Sequence, residues 1–200
     1  GVLTTTDTGV SPSTQSWRIT YDNGPEPLGN IAFAMRGNKV IGTDGGGAPV
    51  YKYSQSLSTD PLGVLVLTNR EEDTYTITVD DVAISYDITE SCEPQPRGLT
   101  PGATMETKLY FAANSAHSIL IDVKGNTGAL IPNATVRIFR TSSGYDTTQT
   151  TGTCGQTFYS GLSAGTVGGG NAYSIEVSAT GYQLYSSLDT VEVSGASRSS

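Results

Sequence analysis

Tyr173-Ser-Ile-Glu-Val177 decides the fold of this chain, because apolar side chains stand at every second position with polar residues between them. Successive side chains of an extended strand point to opposite faces, so this stretch buries one face of a sheet. The same alternation runs through Trp17-Arg-Ile-Thr-Tyr21, Tyr75-Thr-Ile-Thr-Val79 and Ile119-Leu-Ile-Asp-Val123. Turn-forming clusters lie between these strands: Asp22-Asn-Gly-Pro25, Asp44-Gly-Gly-Gly47, Asn126-Thr-Gly128 and Gly168-Gly-Gly-Asn171. No long window carries a helical period or a capping box. Short strands divided by frequent turns make an all-β protein of sandwich type.

An internal repeat sets the domain organisation. Leu28-Gly-Asn-Ile-Ala-Phe-Ala-Met35 echoes Ile131-Pro-Asn-Ala-Thr-Val-Arg-Ile138, aligned on Asn30 and Asn133. Thr59-Asp-Pro-Leu-Gly63 then parallels Thr151-Gly-Thr-Cys-Gly155, each a glycine turn leading into a strand, and Tyr75–Val79 parallels Tyr173–Val177. The copies lie about 100 residues apart, the size of one immunoglobulin-like sandwich. The expectation is an extension over 1–15 and two tandem antiparallel β-sandwich domains, 16–113 and 114–200, joined near Phe111–Ser118.

The second copy, with Gly128, Pro132, Ala134, Val136, Thr150, Gly155, Phe158, Leu162, Tyr173, Val177, Gly181 and Tyr182, resembles the carboxypeptidase-regulatory-like domain. The first copy is more divergent, with Ser85-Tyr86 near the place of the closing Gly-Tyr. The resemblance implies a seven-stranded prealbumin-like sandwich, allied to the B-type repeats of Gram-positive surface adhesins. In Leu99-Thr-Pro-Gly-Ala-Thr104, followed by Met105, Thr107 and Leu109, the chain looks like the final strand of such a domain. Cys92-Glu-Pro-Gln-Pro96, with a second cysteine in the next Thr-rich turn, resembles bacterial surface proteins of prepilin type that carry tandem sandwiches. That likeness implies a pilin-like structural subunit, although no prepilin helix occurs in these 200 residues.

Composition narrows the partners. The chain holds 28 Thr, 22 Ser and 24 Gly, and only 15% charged residues, against roughly 25% in ordinary globular chains. A net charge of −8 and a pI near 4.5 give no electrostatic footprint for nucleic acid or an anionic membrane. The longest apolar stretches, Ile31–Met35 and Val64–Leu67, are too short to span a bilayer. No signal peptide or lipidation motif is present. Cys92 and Cys154 fit no zinc or redox spacing, which leaves a disulfide and an extracellular or cell-surface address, or two buried thiols.

Catalytic material is scarce. His117 is the only histidine; with Ser115, Ser118 and Asp122 nearby it supplies the residue types of a triad, but no nucleophile elbow. Glu71-Glu72-Asp73 and Asp80-Asp81 offer oxygens to Ca²⁺, or are solvated loops, and no Asp-x-Asp-x-Asp-Gly loop exists. No cofactor is implied otherwise. The adhesin resemblance raises a Lys–Asn isopeptide bond at Lys124 beside Glu176, yet alternation turns Glu176 to solvent. Tyr51, Tyr53, Tyr145 and Tyr185 offer rings for stacking on sugars or for a contact surface, or are ordinary strand residues. Asn133-Ala-Thr135 is a glycosylation sequon.

After Val191-Glu-Val193 no further apolar strand follows, whereas the first copy closes with Met105 to Phe111. The expectation is an unpaired edge or groove in the second sandwich: either its last strand is cut short here, or a neighbouring subunit supplies it, with Val2, Leu3 and Val10 as the donor in a head-to-tail polymer. The sequence therefore points to a non-enzymatic extracellular structural protein, a pilin-like or filament-forming homo-oligomer. The alternative is an adhesin module binding glycan or host protein through its loops.

Overall fold

A computed structural model describes residues 19–21, 24–92, 94–168 and 170–193. The stretch holding Val2, Leu3 and Val10 lies outside the described residues, as does Trp17. Two compact units divide the chain after Ala113.

The first unit contains β1 (Ile19–Tyr21), β2 (Gly24–Pro27), β3 (Ala32–Gly37), β4 (Val40–Thr43), β5 (Pro49–Tyr51) and β6 (Ser54–Ser58). It continues with β7 (Asp73–Thr78), a single helical turn at Asp81–Ile84, β8 (Tyr86–Cys92), β9 (Arg97–Leu99) and β10 (Lys108–Ala113). The second unit contains β11 (Ile119–Asp122), β12 (Thr135–Arg140), β13 (Tyr145–Thr150), β14 (Gln156–Tyr159), β15 (Tyr173–Ser178) and β16 (Tyr185–Val191). The protein is all-β. Pairing between the described strands is antiparallel except for β1 and β10, which run parallel with Ile19 opposite Leu109.

One sheet in each unit has the same plan. Its order is β6-β3-β7-β9 in the first and β13-β12-β15-β16 in the second. The register agrees as well: Ala32 faces Ser58 and Met35 faces Ile77, while Thr135 faces Thr150 and Ile138 faces Ile175. The asparagines that align the two motifs both adopt left-handed backbone, with φ of 59° at Asn30 and 56° at Asn133. Asparagine tolerates this region better than most residues. Just after each, a threonine hydroxyl accepts the next backbone N–H: Ile31 N to Thr59 Oγ1 and Ala134 N to Thr151 Oγ1, both 2.9 Å. The glycines that follow, Gly63 at φ 72° and Gly155 at φ 67°, close matching turns by donating to Asp60 O and Gly152 O.

The second layers differ. In the first unit it is the four-stranded sheet β2-β1-β10-β8, which buries Ile88, Leu109 and Phe111. In the second unit it is only β11-β14. Ile119 and Tyr159 from that pair pack with Val136 and Ile138 of β12 and Tyr173 of β15 in one core. Tyr159 Oη crosses between the layers to donate to Val136 O at 2.7 Å.

Three strand expectations change in detail. β10 begins at Lys108 rather than Met105, although Met105 and Thr107 are buried. After Gly63, residues 64–68 form no strand, whereas the second copy makes β14 after Gly155. The single helical turn at Asp81–Ile84 was not legible from periodicity, being only four residues long. Asp80 caps it, its carboxylate accepting Ala83 N at 3.0 Å.

Candidate functional site

The second unit is incompletely covered on one side. Ile175 and Val177 share the inward face of β15 with Tyr173, yet Tyr173 is buried and the other two are only partly so. β14 occupies one edge of β11, and among the described residues no strand occupies the other. Beyond that edge no described strand forms a second layer on the longer sheet. The result is a groove of about 370 Å³ with an apolar floor of Ile121, Val123, Ile131, Ile175 and Val177. Its rim carries Asp122, Lys124, Gln183 and the rings of Tyr182 and Tyr185, which are 54% and 57% exposed.

The first unit supplies an internal control. Ile77 is the register counterpart of Ile175, and it is only 6% exposed. The first strand of that unit, β1, carries β10 along one edge and β2 along the other. An extended segment laid against β11 has the same place in the second unit.

The hydroxyl and carboxylate of the triad residue types have other partners. Ser115 Oγ donates to the main-chain O of His117 at 3.0 Å and accepts Gly161 N at 2.9 Å. His117 O also accepts Leu162 N, so this segment fastens the turn after β14. Asp122 turns to Gln156 Nε2 and to Lys124 Nζ, the latter at 3.2 Å. Ser118 is buried.

The acidic run is matched by lysines instead of being open to a cation. Lys39 Nζ lies 3.1 Å from Glu71 Oε1 and 3.9 Å from a Glu72 carboxylate oxygen, and Lys52 reaches the other oxygen of Glu71. These lysines hold the Glu71 carboxyl below its ordinary range. Asp73 accepts the backbone N–H groups of Lys39 and Thr74. The Ca²⁺ reading of these acids therefore loses its donors to hydrogen bonds already made.

Lys124 and Glu176 do not meet as an isopeptide pair. Lys124 is bound to Asp122, and Glu176 accepts Arg137 Nη1 at 2.8 Å from the neighbouring strand. Arg137 also grips Asp146, so Glu176 sits in a partly exposed three-residue ion cluster on the outer face of the sheet, as alternation implied. Tyr53 and Tyr145 are not free stacking platforms. They pack edge-to-face on the core rings of Tyr75 and Tyr173, with centroids 5.6 and 5.5 Å apart. Arg36 covers the Tyr51 ring at 4.1 Å. Of the four tyrosines only Tyr185 is an exposed ring, and Tyr182, which sequence reasoning had placed only in a family motif, joins it at the groove.

Both cysteines are disulfide-bonded, and as the chain has two, Cys92 is joined to Cys154. No helix among the described residues is long and apolar enough to cross a membrane.

No family model matches the chain, and no curated protein matches it. Solved structures overlap it loosely. A streptococcal ancillary pilin has 14% identity and a TM-score of 0.36, covering 90% of this chain and 61% of that one. The Bacillus anthracis TIE protein has 16% identity and a TM-score of 0.27, over 90% of this chain and 32% of its own. The shaft pilin SpaA from Lactobacillus rhamnosus GG has 9% identity and a TM-score of 0.28, over 95% and 93%. The chain thus spans less than two thirds of the first two. With every TM-score under 0.5, these overlaps say nothing of what the chain does.

Proposed function

We propose that this chain is a non-enzymatic structural subunit of the cell surface, a pilin-like protein that assembles with further copies of itself, and that its two units are tandem sandwich domains. The open β11 edge above an apolar floor carries this reading. A strand edge that no described strand occupies, beside apolar side chains such as Ile121, Ile175 and Val177 that are only half-buried, is what one strand from another chain would cover. The disulfide supports an oxidising, extracytoplasmic setting, since such bonds persist outside the reducing cytosol. The carboxylates of Glu71, Asp73, Asp122 and Glu176 are engaged by lysine, arginine, glutamine or main-chain N–H groups. Negative-stain microscopy and sedimentation of the chain over a concentration series test assembly. Ordered polymers or a mass rising with concentration are expected; a monomer at every concentration overturns the reading.

A second reading has its own observation. Tyr182 and Tyr185 present aromatic faces at the groove, and such rings stack on sugars. Under that reading the same groove is the glycan-binding site of an adhesin. Binding to a glycan array by the monomer, lost in Tyr185→Ala, favours it over assembly.

A further inference from the structure

We propose that the groove of the second unit is filled by residues 2–10 of a second copy of this chain, laid parallel to β11 as the third strand of its short sheet. The inference rests on the assembly reading above and names the segment that enters.

The first unit shows what kind of strand belongs there. β10 runs parallel to the opening strand β1, with Thr20 opposite Tyr110 and Tyr21 opposite Phe111, and it buries Leu109 and Phe111 at alternate positions. β11 is the opening strand of the second unit, and the edge that no described strand occupies is where the donor is placed, up to Val123, whose carbonyl accepts Ile131 N. The occupant must be extended, poor in charge and alternating.

Residues 2–10 fit. Val2, Thr4, Thr6, Thr8 and Val10 fall at every second position, and all are β-branched. Such residues favour extended backbone and pack well on a pleated, half-buried surface. The stretch has no proline, and Asp7 is its one charged side chain. Nine extended residues span roughly 30 Å, ample for the four residues of β11. Entry of one copy's first segment into another copy's last unit is heterologous, so each added copy offers a fresh groove. The product is an open filament unless the rotation between copies closes a ring or two copies exchange segments reciprocally.

The test uses the full chain with a photo-crosslinking amino acid replacing Gln183 on the groove rim, in an equal mixture of ¹⁴N and ¹⁵N copies. Mass spectrometry is expected to show the tryptic peptide Gly1–Arg18 of one label joined to the groove peptide of the other. A crosslink to any other segment, or only within one label, overturns the proposal. In parallel, the double variant Val2→Asp/Val10→Asp is expected to self-associate at least tenfold more weakly, with an unchanged unfolding midpoint; unchanged association overturns the donor assignment. Polymers whose crosslinks lie elsewhere defeat the donor segment and leave the assembly reading standing. Absence of self-association at all concentrations defeats both.

Discussion

Thr59 and Thr151 show how one side chain fixes the entry to a strand. Thr151 Oγ1 accepts Ala134 N at 2.9 Å and donates to Ile131 O at 2.8 Å, all of it buried. Replacing the hydroxyl by a methyl keeps the shape and strands both main-chain groups. An unsatisfied buried group costs about 1–3 kcal/mol. Thr151→Val is therefore expected to lower stability by about 2 kcal/mol, measured by urea unfolding, with Thr59→Val weaker because it loses a single bond. Arg140 is a residue that sequence reasoning passed over. It is 7% exposed, and its Nη1 serves the carbonyls of Ala164 and Asn171 at 2.9 and 3.1 Å, while its plane lies over Tyr173. It gathers the long β14–β15 connection. Tyr159 adds a pH dependence, because burial pushes its phenol up to about 12. The unfolded chain ionises this group near pH 10, so the folded state binds the proton more tightly. Its contribution is present below about pH 10 and lost as pH rises toward 12. Stability measured from pH 8 to 12 should fall on that side, and Tyr159→Phe should flatten part of the fall.

At the scale of strands, matched positions in the two units allow a controlled comparison. Ile77 and Ile175 have the same register and the same inward face, yet only Ile77 is buried. Truncation of a buried isoleucine to alanine costs about 2–5 kcal/mol, through lost transfer energy and the cavity left behind. Ile77→Ala should fall in that range, while Ile175→Ala in dilute protein should cost at least about 1 kcal/mol less. Equal losses would mean that the groove is already covered in the monomer. Much of this architecture was legible beforehand. Alternation at Tyr75 and Tyr173, the aligned asparagines and the glycine turns marked the shared sheet, because period and turn chemistry are local properties. The parallel β1–β10 pair was not legible, since no local pattern states which distant strand will lie alongside. An edge or groove in the second unit was legible from the missing apolar strand after Val193, but its floor was not. Its floor depends on how far one layer overhangs the other, and that is a property of packing. The tyrosines misled for the same reason: Tyr53 and Tyr145 each look free in sequence and find a core ring only in three dimensions.

For the molecule as a whole, the disulfide is a covalent tie beyond the backbone, and it closes 62 residues of chain between Cys92 and Cys154. It joins a residue of one compact unit to a residue of the other, so its effect does not stay within a single core. Restricting the unfolded chain over a loop of that length stabilises the folded form by on the order of 4 kcal/mol in the entropic view. Non-reducing tryptic mapping should yield the peptides Glu71–Arg97 and Thr141–Arg198 joined, and reduction should separate them. Reduction should also lower the urea midpoint, by an amount that the double variant Cys92→Ser/Cys154→Ser reproduces and that reductant no longer changes. If reduced protein keeps its midpoint but its polymers break under flow where oxidised ones hold, the bond serves mechanics more than folding. If both are unchanged, the bond contributes to neither, and the oxidising address would be its only consequence.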